Sequence, residues 1–200
     1  MKIGLIGESP NDTQAFINLF KRQYPNHIEY KSLITNFKGG NLDNVDLHNL
    51  SEKETVVLNQ LKREYISEQP DFVVYIRDSD ALENEPELEE RLNRIYKLGN
   101  AIGQNVTYLI CIFEMETLLL ADTDCVNNFY NTSFIYPNSS DDPTDPMHRK
   151  EPKELLISEC GYRPIDCPRL FTTINFQKLL QVRFFAEFVA QFEHRIKNIA

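Results

Sequence analysis

Apolar positions along the chain take two forms: short continuous runs, and stripes spaced three or four residues apart. Residues 2–7, 72–76 and 106–113 are short runs, mostly of β-branched, aliphatic and aromatic side chains, and each predicts a buried strand. Residues 27–34 alternate apolar and polar and predict another strand. The stripes lie between these runs. Phe16, Ile17, Leu19 and Phe20 predict a helix to about Tyr24, opened by a capping box of Asn11 with Gln14 and stopped by Pro25. Val57, Leu58, Leu61 and Tyr65 predict a second helix, from a Ser51–Glu54 box to about Ser67. Leu88, Leu92, Ile95 and Leu98 predict a third, with Gly99 as its terminal glycine. Residues 114–122 predict a short buried helix. Strands alternating with helices in this way predict an α/β fold: a Rossmann-like, mostly parallel central sheet with helices on both faces.

The pattern changes after Asp124. Residues 138–146 are polar and proline-rich and predict a loop. Pro152 opens a helix that ends near Gly161, and residues 175–199 predict a long closing helix. Leu179, Leu180, Val182, Phe184, Phe185, Phe188, Val189 and Phe192 make that helix too apolar for a free surface. It is expected to pack on the sheet or against a second subunit, so an oligomer through the C-terminal helix is one expectation. The reading divides the chain into an α/β core, 1–124, and a helical extension, 125–200, packed on it as one compact unit.

Composition narrows the class. With 42% hydrophobic and 26% charged residues the chain reads as an ordinary soluble globular one. No apolar run approaches the roughly 20 residues a membrane span needs, and the first run is too short for a signal peptide. A cytoplasmic protein without membrane contact is expected. The net charge of −9 argues against broad non-specific nucleic-acid binding, although not against a local basic strip. Cys111, Cys125, Cys160 and Cys167 lack C-x-x-C spacing and read as reduced thiols rather than zinc ligands. His27, His48, His148 and His194 are scattered.

The candidate chemistry is acidic. Glu8 follows the first strand, Asp78 and Asp80 the third, and Glu114 and Glu116 the fourth. In a parallel sheet these ends share one edge. Two carboxylates about 5 Å apart repel by roughly 3 kcal/mol at an effective dielectric near 20, so their convergence calls for a proton, a basic neighbour or a divalent cation. Oxygen donors suit Mg²⁺ or Mn²⁺. Taken singly, each acid has a plainer reading, as a turn residue or as an acid at a helix start. Arg77 neighbours the cluster, with its side chain expected to point away from Asp78. Lys38, His148, Arg149, Lys150 and Lys153 are candidate phosphate contacts, or solvated loop residues.

Gly7-Glu8 and Asp78-Ser79-Asp80, in this order of elements, resemble the Toprim fold of topoisomerases, bacterial primases and related nucleases. More narrowly, residues 114–122 are similar to the E-x-E-A-W-L-L-A-D stretch of the Toprim-like DUF4276 family, with Leu118 where that family usually shows Trp. Pro152-Lys153-Glu154-Leu155-Leu156 resembles its P-K-x-x-L segment. The resemblance implies that Asp78 and Asp80 hold Mg²⁺ or Mn²⁺, that Glu8 acts as general acid/base or further ligand, and that Glu114 and Glu116 complete a second metal position. It implies a divalent-metal-dependent phosphodiester enzyme, a nuclease on DNA or RNA, in a mobile-element or phage-defence setting beside an ATPase partner. The alternative is a non-catalytic Toprim-like module that binds a partner protein or nucleic acid. A phosphotransfer receiver fits less well, because receivers place an acidic pair after the first strand and here there is one Glu.

Overall fold

The computed structural model describes residues 1–24, 26–33, 52–82, 85–103, 105–136 and 151–199, without the side chains of residues 53 and 54. These residues form four strands, β1 (Lys2–Ile6), β2 (Glu29–Ser32), β3 (Phe72–Asp78) and β4 (Val106–Cys111). All pair in parallel, in the order β2-β1-β3-β4. Ile6 lies opposite Tyr75, and Asp78 opposite Cys111. The helices are α1 (Pro10–Gln23), α2 (Glu52–Glu68), α3 (Leu88–Ile102), α4 (Thr117–Leu120), α5 (Thr123–Tyr130), α6 (Pro152–Cys160), α7 (Cys167–Leu170), α8 (Phe176–Leu179) and α9 (Arg183–Ile199). The fold is Rossmann-like α/β with a C-terminal helix, as the sequence pattern predicts.

Strand alternation sorts the core into two layers. Phe72, Val74 and Ile76 join Ile3 and Leu5 in one apolar cluster with Phe16 and Phe20 of α1 and Phe188 and Phe192 of α9. Val73 and Tyr75 face the other way, toward Val57, Leu58 and Leu61 of α2 and Leu98 and Ile102 of α3. The crossover after β1 therefore lies on one face, and those leading to β3 and β4 on the other. Strand order reverses between β1 and β3, the point at which open α/β sheets bind ligands beyond the carboxyl ends of their strands.

Several local expectations change. Ser9, not Asn11, caps α1: its Oγ accepts from Asp12 N at 3.3 Å, and Asp12 Oδ2 accepts from Ser9 N at 2.9 Å. Ser51 and the Glu54 side chain lie outside the described residues. Gly99 is inside α3, where an added Cβ would stand 2.5 Å from the Tyr108 ring. Its role is close approach to β4, while Gly103 ends the helix. Gly161 does cap α6, with φ +69.

The predicted closing helix is two helices. In one straight helix Phe176, Leu179, Val182 and Phe185, three residues apart, would drift about 60° per step and end on opposite sides. The break after α8 lets all four turn inward, and all four are buried. The short 3₁₀ turn Pro164–Asp166 and α7 have no clear apolar pattern, and α5, whose Cys125, Val126, Phe129 and Tyr130 do share one side, is not among the predicted helices. The closing helix packs on the sheet, the first of the two expectations for it. Phe192 stacks on Phe20 at 4.9 Å between centroids and meets Phe72 edge-on at 5.7 Å. No helix among the described residues is long and apolar enough to cross a membrane.

Phe192 has no exposed surface and touches both the sheet and α1. Phe192→Ala is expected to cost about 3–5 kcal/mol, read as a lower urea midpoint. An unchanged midpoint would contradict this packing.

Candidate functional site

The pairing of β1 with β3 decides which acids meet. Glu8 lies two residues beyond Ile6, the partner of Tyr75, and so comes level with the end of β3. Its Oε1 accepts from Asp78 N at 3.0 Å and lies 3.3 Å from Arg77 Nε. Alternation puts Arg77 and Asp78 on opposite faces, yet Arg77, buried, serves the cluster by pairing with Glu8. Asp78 Oδ1 accepts from Met115 N at 2.8 Å, which joins the ends of β3 and β4. Ser79, buried between these loops, has its Oγ accept from Phe113 N at 2.8 Å and donate to Ala81 O at 2.7 Å.

Glu114 and Glu116 follow β4. Glu116 is buried, and its Oε1 accepts from Tyr162 OH at 3.1 Å. Lys153 lies between the two acids, its Nζ 3.4 Å from Glu114 Oε1 and 3.8 Å from Glu116 Oε1. Two further residues, Asp12 and Tyr162, belong to this rim and are not among the acids that the strand ends predict. Asp12, fixed by the Ser9 cap, acts electrostatically on Glu8 and Asp78. The S-x-x-D spacing of Ser9 and Asp12 was its available signal. Tyr162 carried no local signal.

Asp80 stands apart. It has φ +47, which ends the extended geometry, so the two-residue alternation with Asp78 stops there. It is mostly exposed and pairs with Arg91 of α3 at 3.2 Å, although its charge still reaches Glu8. Phe113, with φ +63, makes the facing turn, and its carbonyl accepts from Asp80 N at 2.9 Å. The structure thus gathers Glu8, Asp78, Glu114, Glu116 and Lys153 and turns Asp80 outward. Lys38, His148, Arg149 and Lys150 lie outside the described residues.

The rim is crowded with negative charge. Burial, then Glu8, Glu116 and Asp12, push the Asp78 carboxyl well above the ordinary range, and Lys153 does not reverse this. Burial also raises Glu8, despite Arg77 and the Asp78 N–H. It raises Asp12 despite its cap, and Glu116 despite Lys153. For Lys153, burial works against its charge, but Glu116, Glu114 and Asp78 outweigh it and raise its pKa. Among these described groups, Glu8, Asp12, Asp78, Glu114 and Glu116 stand against Arg77 and Lys153.

In kind, such oxygen donors in excess of local positive charge fit a hard divalent ion. In disposition, no three His, Cys, Asp or Glu side chains among the described residues stand ready to hold a metal. Glu8, Asp78 and Glu114 each have an oxygen engaged by a backbone N–H. A cavity of about 700 Å³ that includes none of these groups is lined by Asp122, Phe129, Asn175 and Lys178, among others. There Asp122 accepts from Asn175 N and Lys178 Nζ, each at 2.8 Å, and ties α8 to the start of α5. In comparisons with known proteins, no family model, no curated protein and no solved structure matches the chain.

The raised carboxyls set a pH dependence. Their unfolded values lie near 4, so between about pH 4 and their folded values the native state binds more protons. Their contribution to stability is complete below pH 4 and is lost as pH rises through the folded values. Asp124 and Asp166, held below their ordinary values chiefly by hydrogen bonds from Lys178 and Arg163, lose their contributions only as pH falls below about 4. In chelator, the urea midpoint is expected to fall from pH 5 to 8. Asp78→Asn, which keeps the acceptor for Met115 N, should flatten the fall and add on the order of 1 kcal/mol at pH 8. A variant less stable than the parent at pH 8 would contradict this.

Proposed function

We propose that this chain is a divalent-metal-dependent phosphodiester enzyme, a nuclease acting on DNA or RNA. The observation that carries the proposal is the pairing of Glu8 with the end of β3 at the point where strand order reverses. Ligands of open α/β sheets bind beyond the carboxyl ends of the strands at such a point. Glu8 and Asp78, with Asp12 beside them, would hold Mg²⁺ or Mn²⁺. When bound, such an ion supplies Lewis-acid stabilisation of phosphodiester oxygens and a more acidic water. In the alternative role that the resemblance offers, Glu8 is not a ligand but the general acid/base, and burial, which raises its proton affinity, suits it to exchange a proton with an attacking or leaving oxygen. Arg77 fixes its carboxylate in place.

The Toprim and DUF4276 resemblance extends the proposal to a mobile-element or phage-defence setting with an ATPase partner. That resemblance pairs Asp78 with Asp80 as ligands, and Asp80 would have to leave Arg91 to take part. The four free cysteines support a cytoplasmic location.

One observation favours a second reading, a non-catalytic module that binds a partner protein or nucleic acid. Lys153 and Arg91 already compensate Glu114, Glu116 and Asp80 within the chain.

A divalent ion at 100 times its dissociation constant should add about 2.7 kcal/mol, or roughly 5–10 °C of melting temperature. Mn²⁺ is expected to give this shift in the parent and not in Asp78→Asn. Cleavage of single- or double-stranded DNA or RNA should fall by about 10²-fold or more in Glu8→Gln. A thermal shift without cleavage of any of these substrates selects the second reading, and no shift with Mg²⁺ or Mn²⁺ rejects the metal site.

A further inference from the structure

Lys153 is the second residue of α6, where the helix dipole disfavours a cation. Its side chain is 36% exposed, so burial also weighs against its charge. It is held there by carboxylates. Glu114 Oε1 meets its ammonium at 3.4 Å, and Glu114 Oε2 accepts its backbone N–H at 3.2 Å. The N-cap residue, Glu151, supplies no side-chain cap, so one carboxylate holds both the lysine and the helix end. Glu116, fixed from the other side by Tyr162, lies 3.8 Å from the same ammonium.

We infer that the Lys153 ammonium is the second cation of this rim, standing between Glu114 and Glu116, the two acids to which the resemblance assigns a second metal. The chain then takes one divalent ion, at Glu8 and Asp78, and not two. A second ion at Glu114 would have to displace the ammonium and release the first turn of α6. This inference rests on the metal-dependent reading of the rim and decides its stoichiometry.

The test is Mn²⁺ binding to the full chain, counted by electron paramagnetic resonance and calorimetry. One Mn²⁺ per chain is expected for the parent and for Lys153→Arg. Two are expected for Lys153→Gln and for Lys153→Met, which keeps an unbranched stem of similar length, with the second ion bound at least tenfold more tightly than any second ion on the parent. In chelator, both neutral variants should melt lower than the parent, because Glu114 and Glu116 then repel without a counter-ion. Two Mn²⁺ on the parent, or one on both neutral variants with helical circular dichroism intact, overturns the role of the lysine alone. No Mn²⁺ on any variant removes the metal reading, and this inference with it.

Discussion

The structure depends on a repulsion that parallel pairing makes unavoidable. Once β1 lies against β3, Glu8 and Asp78 arrive at the same edge, and Asp12 follows because Ser9 must cap α1. Like charges gathered at one edge oppose folding unless something nearby carries positive charge or a proton. Much of the local architecture answers that demand. Arg77 crosses to Glu8, backbone N–H groups of Asp78 and Met115 take carboxylate oxygens, and Lys153 enters between the acids that follow β4.

The extension is part of this answer as well as of the core. Phe185, Phe188 and Phe192 of α9 fill the face of the sheet opposite α2 and α3. From the same region, α6 brings Lys153, and the residues after it bring Tyr162, to the carboxyl rim. Hydrophobic burial fixes the extension to the sheet, and that attachment holds the lysine among its acids. An ordinary apolar face thus supports a polar cluster that would otherwise be costly to assemble.

The layers were legible in the sequence because each strand is a compact apolar run and each core helix carries a stripe. Glu8 and Asp78 were legible as a pair because both sit at strand ends, where parallel topology alone sets their neighbours. Asp80 was not, because period-two reasoning was carried past the last extended residue into a turn with positive φ. Lys153 read as a phosphate contact or a solvated cation because it follows the basic run His148-Arg149-Lys150, whereas its contacts come from residues some forty positions earlier. The split between α8 and α9 was written in the three-residue spacing of Phe176, Leu179, Val182 and Phe185. That spacing cannot keep one face of a straight helix.

The most direct test of the central claim is a carbon-13 titration of the side-chain carboxyls in the metal-free protein, with and without Glu8→Gln. The account predicts that Asp78 titrates well above the ordinary aspartate value of about 4, and that removing the Glu8 charge brings it down. An Asp78 that titrates like an isolated aspartate and ignores the substitution would show that the two groups do not share a site.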